Sequence, residues 1–192
     1  MIAIVDNYSK NRMKPIRRIK DALTDLHRSH VIKYYELPKV IKKYDALILS
    51  GSKSHIEESN LAGYQGEYEL IREVGVPTLA ICFSHQLLCR AYGSPIVKMN
   101  KKRAGYFPIK LIRQDLIFDG MKEEIVVREN HMYRVGAVPE GFELIASSEI
   151  CPIEAVKHRR KLVYGVQFHP ENCTQEFSHG KKVIENFLRQ IR

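Results

Sequence analysis

The chain has 192 residues, 44% of them hydrophobic and 28% charged, a balance that suits one packed core and excludes a disordered tail or a fibre. Its 31 basic and 22 acidic residues leave a net charge of +9, gathered at Lys14/Arg17/Arg18/Lys20, Lys98/Lys101/Lys102/Arg103 and Lys157/His158/Arg159/Arg160/Lys161. Such clusters read first as solvated faces and second as docking sites for an acidic protein or an anionic substrate; no aromatic-rich motif accompanies them, so nucleic acid is not expected.

Met1-Ile2-Ala3-Ile4-Val5 followed by Asp6-Asn7 reads as a buried parallel strand running into a loop. Ile16, Ile19, Leu23 and Leu26 then recur at steps of three and four, the stripe of a helix covering a sheet. Val31 to Leu37 reads as a second strand and Ala46 to Leu49 as a third, which enters the turn Ser50-Gly51-Ser52. A helix around Tyr64 to Val74 precedes a short buried strand, Thr78 to Ile81. Phe83 to Tyr92 suits a helix closed by Gly93. Shorter alternating segments follow at 94–98, 106–112, 124–128, 142–147, 153–157 and 162–168, as in antiparallel additions to a mixed sheet. Val183, Ile184, Phe187, Leu188 and Ile191 mark a closing helix. The pattern predicts one α/β domain over residues 1–192, with a largely parallel central sheet flanked by helices and extended by antiparallel strands.

No apolar run approaches the ~18 residues of a membrane span, and Asp6 comes too early for a signal peptide, so a cytoplasmic chain without membrane contact is expected. Cys82, Cys89, Cys151 and Cys173 have neither metal-ligand spacing nor scaffold density, so reduced thiols are expected and a bound metal is not.

In open α/β sheets reactive groups gather beyond the carboxyl ends of strands. Three segments end there: Leu49-Ser50-Gly51-Ser52, Ala80-Ile81-Cys82-Phe83-Ser84-His85-Gln86 and Gln167-Phe168-His169-Pro170-Glu171. In the second, the small residues Ala80 and Ser84 flank Cys82 two positions away on either side, which permits a tight strand-to-helix elbow. A thiol at a helix amino terminus meets unpaired N–H groups and the helix dipole, both of which favour the thiolate. In the third, Glu171 can reach the imidazole of His169 and orient it. Each segment has a plainer reading, a buried packing cysteine and a surface turn.

Taken together, Ala80 to Leu88 and Tyr-Gly-Val-Gln-Phe-His-Pro-Glu (164–171) resemble the class I glutamine amidotransferases, whose pattern is Gly-x-Cys-x-Gly-His-Gln followed some distance on by Phe-His-Pro-Glu. The resemblance extends from the first strand to the last helix and implies a flavodoxin-like fold of that family. It implies Cys82 as nucleophile, His169 as general base and acid, and Glu171 as its orienting partner. It places oxyanion donors at Phe83 and in the turn Gly51-Ser52, and it makes Gln86 and His131 candidates for the glutamine pocket. The implied reaction turns L-glutamine into glutamate and ammonia. The segment 139–158 is most similar to the glutaminase chains of two-chain GMP synthetases, in which ammonia passes to a separate ATP-dependent synthetase chain that aminates XMP. No Gly-x-x-x-x-Gly-Lys loop occurs here, so no cofactor is expected on this chain, and ATP and Mg²⁺ are expected on the synthetase partner. The alternatives are anthranilate or aminobenzoate synthesis, a free-standing γ-glutamyl hydrolase and a non-catalytic regulatory chain.

The chain departs from the family pattern in several places. Gly51-Ser52-Lys53 stands where Gly-Gly-Pro is usual, Ala80 and Ser84 replace elbow glycines, and Asn130-His131-Met132-Tyr133 replaces Ser-His-x-Asp. Asn7-Tyr8-Ser9-Lys10 replaces a segment that usually contains Gly-Gly-Gln. The small replacements are expected to preserve the elbow, while Tyr133 bears on the choice of partner.

Overall fold

The computed structural model describes residues 1–8, 13–23, 27–39, 41–56, 61–73 and 75–191. Nine strands form one sheet: β1 (Ile2–Asp6), β2 (Ser29–Lys33), β3 (Ala46–Leu49), β4 (Thr78–Ile81), β5 (Ile96–Leu111), β6 (Glu124–Val135), β7 (Phe142–Ser147), β8 (Ala155–His158) and β9 (Val163–Val166). Their spatial order is β2-β1-β3-β4-β9-β8-β7-β5-β6. The pairs from β2 to β9 are parallel and those from β9 to β6 antiparallel. The result is the predicted α/β architecture, a parallel half extended by an antiparallel half.

Alternation along the parallel strands sends successive side chains to opposite faces. Ile2, Ile4, Ile48 and Ile81 join the core beneath α1 (Met13–Ala22) and α4 (His179–Arg189), with Ile16, Ile19, Val183 and Phe187. Ala3, Val5, Leu47, Leu49 and Ala80 join the core on the other face, with Ile71 of α2 (Gln65–Glu73) and Leu87 and Leu88 of α3 (Phe83–Ala91). Strands buried on both faces read as uninterrupted apolar runs, which is why β1, β3 and β4 were visible in the sequence. Leu26, placed on the stripe of α1, lies outside the described residues.

Two expectations need correction. The strand expected over 31–37 ends at Lys33, where a 3-10 turn (Tyr34–Lys39) begins. The carboxylate of Glu36 accepts the Lys33 amide at 3.2 Å, and the Tyr34 ring stacks on Tyr64 at 4.5 Å, so the chain bends while Leu37 stays buried. The segments 94–98 and 106–112 are not separate: they belong to the 16-residue β5, which pairs with β6 through an irregularity between Lys98 and Arg103. The charges between them read as a solvated face, but Arg103 is buried, its guanidinium donating to Glu129 at 2.6 Å. Lys157 likewise leaves its basic cluster to pair with Asp115 at 2.6 Å, so these two clusters are only partly solvated faces.

Candidate active site

Neighbouring strands β1, β3, β4 and β9 deliver Asn7, Ser50-Gly51, Cys82 and Gln167–His169 to the same edge of the sheet. Parallel strands in adjacent positions must end side by side, so residues far apart in sequence meet there without any long loop. The turn after β4 is a tight one. Cys82 sits at the amino end of α3 with φ 50° and ψ −97°, the sole positive-φ residue other than glycine among the described residues. A side chain in that region costs roughly 1–3 kcal/mol and persists only where its surroundings hold it. Here the Cys82 amide donates to the Val166 carbonyl at 2.8 Å, and the Cys82 carbonyl accepts the Gln86 amide at 3.1 Å, which ties the elbow to β9 and to its own helix.

The imidazole of His169 faces the Cys82 sulfur on one side and Glu171 on the other, with Nδ1 2.8 Å from Glu171 Oε1. Burial alone would lower the His169 pKa, but the facing Cys82 and Glu171 charges and hydrogen bonds outweigh it and raise it well above the usual value. All three residues are nearly buried, yet Cys82 opens onto a cavity of about 340 Å³ bounded by Ser52, Phe83, Gln86, His131 and Tyr133. That volume lies within the range of small-molecule sites. Lys53 and Lys102 stand at the same cavity and give it a basic wall.

Of the sequence-predicted residues, Cys82, His169 and Glu171 therefore converge, and Phe83, Ser52, Gln86 and His131 line the space in front of the sulfur. Phe83 is the first residue of α3, so its amide has no intrahelical acceptor. Gly51 lies against the same side chains: a Cβ placed on it would stand 2.9 Å from His169 Cε1 and 3.6 Å from Cys82 Cβ. Gln86 reaches across the pocket floor, its amide donating to the Tyr133 carbonyl at 2.7 Å and to Gln167 Oε1 at 3.0 Å. Gln167 in turn presents Nε2 to the Cys82 sulfur at 3.7 Å. His131 is fixed between the Tyr133 carbonyl at 2.9 Å and Glu129 at 2.7 Å.

His85 supports the elbow from behind. Its ring packs where Gly165 has no side chain, since a Cβ there would come within 2.5 Å of Nδ1, and burial pushes its pKa down to about 3, which keeps it neutral. Cys89 and Cys151 are buried thiols whose pKa burial raises, away from the cavity.

Gln167 and Tyr8 enter the sequence reading only as members of longer segments with no role of their own, and Glu67 does not enter it. Gln167 directly precedes the Phe-His-Pro-Glu segment, and its role beside Cys82 could be found by asking what fills the turn facing that residue. The Tyr8 hydroxyl lies 3.4 Å from the Cβ position of Gly51. Glu67 has no such signal, because a glutamate on a polar helix reads as solvated. In the structure it is fully buried, and burial pushes its pKa up to about 7 despite hydrogen bonds from Ser84 and Asn7.

Comparison with known proteins identifies the family. Residues 3–191 match the family model for glutamine amidotransferase class-I. The chain is 34% identical to the glutamine-hydrolysing GMP synthase subunit of Archaeoglobus fulgidus over 148 residues, 77% of this chain and 76% of that one. It is 32% identical over 180 residues to the subunit of the same name from Methanothermobacter thermautotrophicus, covering 86% of this chain and 92% of that one. A crystal structure from Thermoplasma acidophilum superposes with a TM-score of 0.84 at 26% identity, over 98% of this chain and 92% of that one. No helix among the described residues is long and apolar enough to cross a membrane. The chain belongs to the class-I glutamine amidotransferases.

Proposed function

We propose that this chain hydrolyses L-glutamine and hands the ammonia to a separate ATP-dependent synthetase chain that converts XMP to GMP. The observation that carries the proposal is the strained Cys82 elbow, opening onto a cavity and facing the His169–Glu171 pair. In this reading the Cys82 sulfur attacks the side-chain amide carbon and the carbonyl oxygen becomes an oxyanion, met by the amides of Phe83 and the Gly51-Ser52 turn. His169, held protonated by the sulfur and Glu171, gives its proton to the departing nitrogen. The C–N bond breaks, ammonia leaves and a glutamyl thioester remains. His169 then takes a proton from water, the resulting hydroxide attacks the thioester, and glutamate and the thiol are released. Gln86, and His131 through its place on the cavity wall, shape the glutamine pocket.

The GMP assignment rests on the names of the relatives: the two described above are glutamine-hydrolysing subunits of GMP synthases and correspond to this chain over most of their length. ATP and Mg²⁺ act on the partner chain in this reading. The test is a coupled assay with the synthetase that co-purifies with the native protein. Glutamine-dependent GMP formation that disappears in Cys82→Ala, while ammonia-dependent formation persists, is the expected result. Ammonia-dependent amination of a different acceptor would replace GMP, and loss of neither activity in Cys82→Ala would end the proposal.

A further inference from the structure

Beneath the oxyanion turn lies a buried polar lattice built from Asn7, Ser50, Glu67 and Ser84, all four excluded from solvent. The Ser50 carbonyl accepts from Asn7 Nδ2 at 3.0 Å and from Ser84 Oγ at 2.9 Å. Glu67 Oε1 lies on the other side of the same two groups, 2.6 Å from Ser84 Oγ and 3.2 Å from Asn7 Nδ2, and Asn7 Nδ2 also donates to Ser84 Oγ at 2.8 Å; the one Ser84 hydroxyl proton serves either the Ser50 carbonyl or Glu67. Ser50 Oγ accepts the Asn7 amide at 3.0 Å and donates to the Gly51 carbonyl at 3.0 Å. A planar trans peptide points its C=O and N–H in opposite directions, so fixing a carbonyl fixes the amide that follows it. Holding the Ser50 carbonyl aims the Gly51 N–H, and holding the Gly51 carbonyl aims the Ser52 N–H. Gly51 itself packs beside Cys82 and His169, and Ser52 lines the cavity onto which the sulfur opens. The serine at 84, where the family pattern has glycine, bridges the Ser50 carbonyl and Glu67 and can give its one proton to either.

We infer that Glu67, Ser84 and Asn7 are positioning residues that lock the oxyanion turn, replacing by side-chain hydrogen bonds the restraint of the usual Gly-Gly-Pro sequence. The inference rests on the glutaminase reading above. Glu67 touches no reacting atom; it anchors Ser84 and Asn7, which hold the carbonyl behind the turn. A misplacement of an oxyanion donor acts on the tetrahedral species and leaves the sulfur itself intact.

Two probes separate these effects. The aldehyde analogue of glutamine forms a reversible hemithioacetal with Cys82 whose tetrahedral oxygen needs the turn, whereas iodoacetamide alkylates the sulfur without forming an oxyanion. Ser84→Ala, which removes one oxygen, and Glu67→Leu are each expected to weaken aldehyde binding by about tenfold or more, with the alkylation rate within about twofold of wild type. Glu67→Gln, which can still accept from Ser84, is expected to restore aldehyde binding to within about threefold. Wild-type aldehyde affinity in Ser84→Ala and Glu67→Leu would overturn the inference, as would a parallel fall in alkylation, which would indicate a general loosening of the elbow. Wild-type protein that fails to bind the aldehyde overturns the glutaminase reading itself, a different and distinguishable failure.

Discussion

Gly51 and His169 approach so closely that a single methyl group added to the glycine would stand 2.9 Å from the imidazole Cε1. The turn after β3 thus abuts the His169 ring, and its glycine is required by space rather than by backbone conformation. Gly51→Ala is expected to lower kcat for glutamine by about 10²-fold or more, because the ring must move away from the sulfur or the turn away from the oxyanion. The melting temperature should change by only about a few degrees. Steady-state kinetics beside a thermal melt checks this; a variant with wild-type kcat would place the turn outside the site.

Glu171 holds the His169 ring through Nδ1, and its charge is one of the causes that raise the His169 pKa against the opposing effect of burial. Glu171→Gln keeps the shape but removes the charge, so the imidazolium loses support and its pKa falls. The pH profile of Cys82 alkylation should then show the histidine titration displaced to lower pH, and kcat should drop about 10²-fold or more. An unmoved profile would mean that Glu171 does not act through His169.

Much of this site was legible in the sequence, for a physical reason. Cys82 and His169 each sit at the end of a short apolar strand, and apolar runs bounded by small or turn-forming residues announce both the strand and the place where it stops. What escaped notice was long-range polar chemistry. Glu67 and Asn7 are 60 positions apart, and nothing local tells that a helix glutamate points inward. The same holds for β5, where Arg103 reads as part of a solvated face although Glu129, on the neighbouring strand, gives it a buried partner. Ser84 reads in the sequence as a small stand-in for an elbow glycine, and in the structure it joins Asn7 in the lattice under the turn.

Gln86 satisfies two buried acceptors at once, the Tyr133 carbonyl and Gln167 Oε1. Gln86→Ala leaves both without that donor and frees Gln167 from its place beside the sulfur. A loss of about 1–3 kcal/mol in denaturant unfolding is expected, together with a KM for glutamine raised by more than kcat is lowered. Unchanged stability with unchanged KM would contradict the pocket role.

Glu67 gives a pH signature of folding. Its pKa is about 7 in the folded chain and near the ordinary carboxylate value when unfolded, so between those values the folded state holds a proton that the unfolded state has lost. Its contribution therefore makes stability fall as pH rises from about 4.5 to 7, by at most roughly 3 kcal/mol. His85, whose pKa is lowered to about 3, works in the opposite direction over part of that window, so the wild-type curve alone mixes the two. The difference between wild type and Glu67→Gln isolates the glutamate: the variant should gain relative stability as pH rises toward 7. Equal slopes for the two proteins would show that Glu67 is not buried as a neutral acid.

The assignment of Cys82 as the nucleophile is tested most directly by incubating the protein with diazo-oxo-norleucine and locating the adduct by peptide mass spectrometry. A single adduct on Cys82, suppressed by glutamine and absent in His169→Ala, is the predicted result. Labelling spread over Cys89, Cys151 or Cys173, or no labelling of Cys82 under conditions where the chain is folded, would contradict it.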